Sequence, residues 1–249
     1  MRVDVRDPDD PRLDPYRSLR GRPAEERTFV VEGRTTLRQV LDAGIMIRSA
    51  LVLPKAYDAV EGIDAPIYVA ERDVLTAVAG FDVHRGVLAV AERPPERDAG
   101  LLLAAATKVL VIDGITDAEN VGALFRNAAA FGVDAVVLDS TSCDPLLRRC
   151  VRVSVGNVLN VPFARCDDWA GALRAAGVAV LALSPAGEVA IGDVQPIDRF
   201  ALVVGSEGAG LSDAALAAAD QRVRIPMARG VDSLNVATAA AVALSHLTA

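Results

Sequence analysis

Histidine is almost missing from this 249-residue chain: His84 and His246 stand far apart. A multi-histidine metal centre is therefore excluded, and a Ser-His-Asp hydrolase would depend on one of two isolated imidazoles. The three cysteines, Cys143, Cys150 and Cys166, are odd in number and show no C-x-x-C spacing. Neither a disulfide framework nor a zinc ribbon is expected, and the thiols read as reduced packing residues. Aromatic residues make up 4% of the chain, too few to bind single-stranded nucleic acid by rows of stacked rings. Lysine contributes 2 of the 26 basic residues and the net charge is −7, so composition gives no overall basic signal. No apolar run approaches the roughly 18 residues of a membrane span, and the leading MRVDVRDPDDPR carries acids where a signal peptide needs apolar residues. A soluble, cytoplasmic protein with no membrane and no metal partner is expected.

What is present is a hydrophobic fraction of 52% in a chain long enough for one large or two modest domains. Residues 1–12 alternate Asp, Arg and Pro and are expected as a flexible tail. From Phe29, short β-like runs (FVV, SALVL, IYVA, GVLAVA) alternate with helical stretches such as TTLRQVLDAG, which predicts a small α/β domain over residues 13–92. The segment ERPPERDAG, with paired prolines and five charges, marks a linker over 93–106. Residues 107–249 repeat the alternation. KVLVID, DAVVLD, VAVLAL and FALVVG are apolar throughout, as expected of strands covered on both faces of a parallel sheet. The fold class is α/β. The alanine-rich segment from Leu234 to Leu247 is expected as a helix that is deeply buried or lies at a subunit interface.

Three polar, glycine-bearing clusters follow strands, where open α/β sheets place ligands. In DGITDAENVGALFRNAAAFG, Asn120 and Arg126 lie on one helix, and Arg126 sits among apolar residues; an ordinary surface arginine is the alternative. In VVGSEGAGLS, glycines 205, 208 and 210 reverse the dinucleotide fingerprint. Glu207 in their midst would repel a pyrophosphate but suit a cationic ligand. A plain strand-to-helix turn, capped by Ser212 or Asp213, is the alternative. In IPMARGVDSLNVATAAA, Asp232 or Ser233 can cap the closing helix, while Ile225, Met227 and Leu234 offer an apolar lining beside Ser233 and Asn235. That lining suits an adenine-like ring.

Together, N-x-G-x-x-x-R-N-A at 120–128, V-G-S-E-G-x-G-L at 204–211, and I-P-M with S-L-N-V at 225–236 resemble the SpoU (TrmH) family of RNA 2′-O-ribose methyltransferases in order and spacing. The phrases FVVEGRTTLRQVL and HRGVLAVAE resemble, more weakly, that family's front domain, which is similar to ribosomal protein L30e. The resemblance implies a mostly parallel catalytic sheet with a deep trefoil knot of the SPOUT type, preceded by a smaller L30e-like RNA-binding domain. It also implies a homodimer with S-adenosylmethionine in the knotted cleft. Gly205, Ile225 and Leu234 are implied to bind the cofactor, with Ser184, Glu207, Met227 and Ser233 as neighbours. Asn120, Arg126, Glu207 and Asn235 match the polar catalytic positions.

The resemblance puts Arg126 in the place of the general base. A guanidinium normally keeps its proton, so the other reading has Arg126 hold the adjacent phosphate and lower the hydroxyl pKa, with water or Glu207 taking the proton. For RNA contacts the chain offers Arg126, the group Arg148, Arg149 and Arg152, and seven arginines at positions 12, 17, 20, 22, 27, 34 and 38. Methylation of a ribose 2′-hydroxyl in ribosomal RNA is the expected activity. Transfer RNA as substrate, or a non-catalytic RNA-binding or ribosome-assembly factor, are the alternatives. A nicotinamide-dependent enzyme ranks last, because the glycine cluster has the wrong order and lies near the end of the sheet.

Overall fold

The computed structural model describes residues 1–19 and 25–248, in two compact units. Arg20 and Arg22 lie outside the described residues. The first unit comprises Met1–Pro94 and Asp144–Leu159; the second comprises Pro95–Cys143 and Asn160–Ala249.

The first unit is built on β1 (Arg2–Asp4), β2 (Thr28–Glu32), α1 (Arg34–Asp42), β3 (Ile47–Val52), β4 (Ile67–Val69), α2 (Arg72–Ala79) and β5 (Val87–Glu92). Its sheet has the order β1-β4-β3-β5-β2. β2 and β3 run antiparallel to β5, and β4 runs parallel to β3 and β1. Phe29, Val31, Leu51 and Leu88 are buried with Leu37 and Val40 of α1 and Leu75 and Val78 of α2. The expected flexible tail is corrected here. Arg2–Asp4 pairs with Ile67–Val69, and Val5 is buried with its amide bonded to the Val69 carbonyl at 2.8 Å. Two valines at alternate positions give a short strand a face to bury even among charged neighbours.

The second unit begins with α3 (Ala99–Ala105), inside the segment expected as linker. Asp98 accepts the Leu101 amide as its cap and Leu103 is fully buried, so the charges before it start a helix rather than prolong a loop. Then follow β6 (Lys108–Asp113), α4 (Ala118–Ala130), β7 (Ala135–Leu138), β8 (Phe163–Arg165), α6 (Trp169–Ala176), β9 (Ala179–Leu183), β10 (Val189–Ala190), β11 (Phe200–Gly205), α7 (Asp213–Ala218), β12 (Gln221–Arg224) and α8 (Val236–Leu247). The remaining helix, α5 (Arg148–Val153), follows β7 in the chain but packs in the first unit, against β2.

The seven strands are all parallel, in the order β10-β12-β9-β11-β6-β7-β8. Val109, Val111, Val137, Ala201 and Val203 bury one face with Trp169 and Leu173 of α6. The alternate residues Leu110, Ile112, Leu202 and Val204 are equally buried on the other. There α8 packs on β11 and on α4. This register sets Gly205 directly opposite Asp113, so the second cluster of the sequence meets the start of the first.

Candidate active site

The carboxyl ends of β9, β11 and β12 open into a cavity of ≈ 520 Å³, within the usual range of about 300–1,000 Å³ for small-molecule sites. Ser184, Gly205, Glu207, Ile225, Met227, Ser233 and Leu234 all line it, together with Asn235. Each wall has a local cause. The Ser184 amide bonds the Val223 carbonyl at 2.9 Å, and the turn after it closes with Gly187 N on Ser184 O at 3.0 Å. A Cβ on Gly187 would stand 2.5 Å from the Val223 carbonyl carbon. The loop after β11 is pinched by reciprocal 3.0 Å bonds between Ser206 and Gly210. A Cβ on Gly205 would lie 2.3 Å from the Gly210 oxygen, so only glycine allows the loop to fold back so closely.

At the rim, Asn235 gathers the polar residues. Its side-chain oxygen accepts from the Ala237 and Thr238 amides, which makes Asn235 the cap of α8. This corrects the expectation that Asp232 or Ser233 caps that helix. Asn235 Nδ2 is thereby left to donate, at 2.8 Å each, to Asn120 Oδ1 and Glu207 Oε1. Asn120 reaches this point from the first turn of α4, whose start is capped by Asp117. Three residues more than 25 positions apart pairwise thus share one amide group. Asn127 Nδ2 adds a second tie between α4 and α8, donating to the Ala237 carbonyl at 2.7 Å.

Arg126 does not join this group. It is exposed on α4, roughly 9 Å along the helix axis from Asn120, outside the cavity lining and without a hydrogen bond or ion pair among the described residues. Arg148 departs from expectation more fully. Its guanidinium pairs with the buried Glu32 and lies 4.3 Å from the Phe81 ring centre, with the side chain 16% exposed. Burial depresses its pKa, against the opposing pull of Glu32. It is a strut between α5 and β2 rather than a free phosphate ligand. Arg149 and Arg152 are exposed on α5. In the front cluster, Arg12, Arg17 and Arg34 pair with Asp10, Asp14 and Asp58, while Arg27 and Arg38 are exposed.

Two carboxylates escaped the sequence reading. Asp113 is 7% exposed and accepts from Ser212 N at 2.8 Å and Ser212 Oγ at 3.2 Å. Asp139 accepts from the Gly114 and Ser142 amides and from the Thr141 and Ser142 hydroxyls. Burial opposes its ionisation, but the Ser142 and Thr141 hydroxyls, with the Gly114 and Thr141 amides, outweigh it and hold its carboxyl below the usual carboxylate range. The signal for both was an aspartate at a strand end, in VID and VLD. Among the described residues no cluster of three or more His, Cys, Asp or Glu side chains can hold a metal ion, and no helix is long and apolar enough to cross a membrane.

Residues 107–245 match the SpoU rRNA Methylase family. Across nearly the whole chain, an uncharacterized tRNA/rRNA methyltransferase of Mycobacterium bovis is 44% identical over 98% of this chain and 91% of its own length. The 23S rRNA (guanosine(2553)-2′-O)-methyltransferase RlmP of Bacillus subtilis is 32% identical over 88% of both chains. Among solved structures, an AdoMet-bound rRNA methyltransferase from Sinorhizobium meliloti superimposes with a TM-score of 0.86, at 26% identity, over 99% of this chain and 97% of that one.

Proposed function

The chain belongs to the SpoU rRNA methylase family, and on that premise we propose that it methylates a ribose 2′-hydroxyl in ribosomal RNA, with S-adenosylmethionine as donor. One observation carries the assignment: the Asn120, Asn235 and Glu207 side chains converge at the rim of a cavity lined by Ser184, Gly205, Ile225, Met227 and Leu234.

The cavity fits the donor. Ile225, Met227 and Leu234 supply an apolar wall for an adenine ring, and the bare backbone at Gly205 keeps the floor open. The Glu207 carboxylate is the charge at the lining, which favours a cation over a phosphate. When bound, S-adenosylmethionine supplies a methyl group on a positively charged sulfur. The chain's own residues have two tasks: to align the ribose oxygen for in-line displacement and to receive its proton. Asn235 holds the Glu207 carboxylate and the Asn120 amide in fixed orientation. Glu207 or water takes the hydroxyl proton, and Arg126 binds the neighbouring phosphate and stabilises the developing alkoxide by its charge. No step calls for a metal ion.

Because Arg126 is exposed and stands outside this chain's own cavity, its proposed part in the step calls for a homodimer in which Arg126 of one copy serves the site of the other, with α4 and α8 near the subunit seam. A trefoil knot in the second unit is supported by the chain passing from β11 across β9 to β12, and by the close backbone approaches at Gly187 and Gly205. An L30e-like, RNA-binding role for the first unit is supported by FVVEGRTTLRQVL forming β2 and α1 and by HRGVLAVAE leading into β5. A ribosomal substrate supports a cytoplasmic enzyme.

The test is to map 2′-O-methylated nucleotides across ribosomal and transfer RNA from cells with and without the gene. Loss of a single ribosomal site is expected. Loss of a transfer RNA site moves the substrate class, and an unchanged map with intact ribosome assembly contradicts the assignment.

A further inference from the structure

Asp113 is a buried carboxylate with no lysine, arginine or histidine ion-paired to it among the described residues. A buried charge without a counter-ion is costly, and it persists where hydrogen-bond donors are aimed at it. Both donors here belong to Ser212. Ser212 Oγ accepts the Ala215 amide at 3.1 Å as the cap of α7, so its own proton is free to go to Asp113 Oδ1. A relay results, in which Ala215 N–H donates to Ser212 Oγ, and Ser212 N–H and Oγ–H donate to Asp113.

Ser212 closes the loop that starts at Gly205. Its near end is set by the register of Gly205 against Asp113 and by the packing of Gly205 on Gly210. Its far end is set by the Asp113 carboxylate. Between these anchors lies Glu207, whose Oε1 meets Asn235 Nδ2. Asp113 itself ends β6, seven residues before Asn120 on the same chain segment. One carboxylate thus ties the segment bearing Asn120 to the loop bearing Glu207.

We infer that Asp113 is a positioning residue for methyl transfer: through Ser212 it fixes the loop that holds Glu207 against Asn235. This rests on the methyltransferase reading of the cavity. The residue touches neither donor nor RNA and acts only through the loop. A strut serving α7 alone would leave the Ser206–Gly210 pinch and the Glu207 contact undisturbed when removed.

The experiment uses the full chain carrying Asp113→Asn, Glu207→Gln and both, with Ser212→Ala as a second route to the same relay. Amide hydrogen exchange is followed without ligand, and turnover is measured with ribosomal RNA at saturating S-adenosylmethionine. Asp113→Asn is expected to speed exchange at Ser206 and Gly210 about tenfold while Val111 in β6 is unchanged, as loss of a charge-assisted bond dictates. Turnover is expected to fall about tenfold in the wild-type background and less than twofold further in Glu207→Gln. Ser212→Ala gives the same pattern, more weakly. Unchanged exchange at Ser206 and Gly210, or losses that multiply in the double variant, overturn the inference. A wild-type chain that transfers no methyl group overturns the methyltransferase reading instead, and the exchange result then decides the link between Asp113 and the loop by itself.

Discussion

Asn235 shows how one side chain can fix a site. Because its oxygen is occupied by two helix amides, its NH₂ group must face outward, and it takes both Asn120 and Glu207. Asn235→Ala removes these contacts and the cap of α8 together; turnover is expected to drop at least a hundredfold, read as methyl incorporation into RNA. Arg126→Ala is expected to lose as much turnover while binding S-adenosylmethionine normally, since Arg126 lies outside the cavity lining. Near-normal turnover in that variant removes it from the mechanism. Asp139 makes a pH prediction. Its folded-state pKa lies below the unfolded value of about 3.9, so its stabilising contribution is present above that pH and lost as pH falls through the folded value. Stability of the wild type should therefore decline more steeply below about pH 4 than that of Asp139→Asn, measured by urea unfolding across an acid series.

Among the elements, those with long apolar runs were legible in the sequence. KVLVID, DAVVLD, VAVLAL and FALVVG became β6, β7, β9 and β11, because a strand buried on both faces cannot hide its composition. β12 was legible only from its end, where Ile225 and Pro226 open the third cluster: Gln221 and Arg222 are exposed and only Val223 is fully buried, so the composition of QRVR itself carries no strand pattern. The three site segments were readable as clusters, but their convergence depends on the register of β11 against β6 and on the cap choice at Asn235, both of which are tertiary. Arg148 was misread for a related reason. Its partners Glu32 and Phe81 lie 116 and 67 residues away, where no local pattern points to them. Arg199 illustrates a long-range element tie of this kind. Its guanidinium donates to the Ala176 carbonyl at the end of α6 and to Leu103, Ala104 and Ala106 at the end of α3. A cation at two helix carboxyl ends neutralises both dipoles. Arg199→Ala should cost about 2 kcal/mol in denaturant unfolding, and a change under about 0.5 kcal/mol would contradict that role.

Over the whole molecule, charge and function have to be reconciled. The chain carries a net −7, yet its proposed substrate is a polyanion. Several arginines are neutralised by neighbouring aspartates, leaving Arg126 and Arg152 among the exposed basic groups. RNA affinity should therefore fall at least tenfold between about 50 and 200 mM salt, and Arg152→Glu should weaken binding without altering donor affinity. Beneath the choice of RNA lies the site itself: segments 204–211 and 225–236 line the cavity proposed for the donor, and segment 120–128 reaches its rim through Asn120. Calorimetric titration of S-adenosylmethionine into the wild type and into Gly205→Val reads the occupancy of that cavity. The wild type is expected to bind, and the variant, whose side chain would collide with the Gly210 carbonyl, to lose binding by at least tenfold while remaining folded. Equal affinity in the two proteins, or none in the wild type, would mean that this cavity is not the donor's seat.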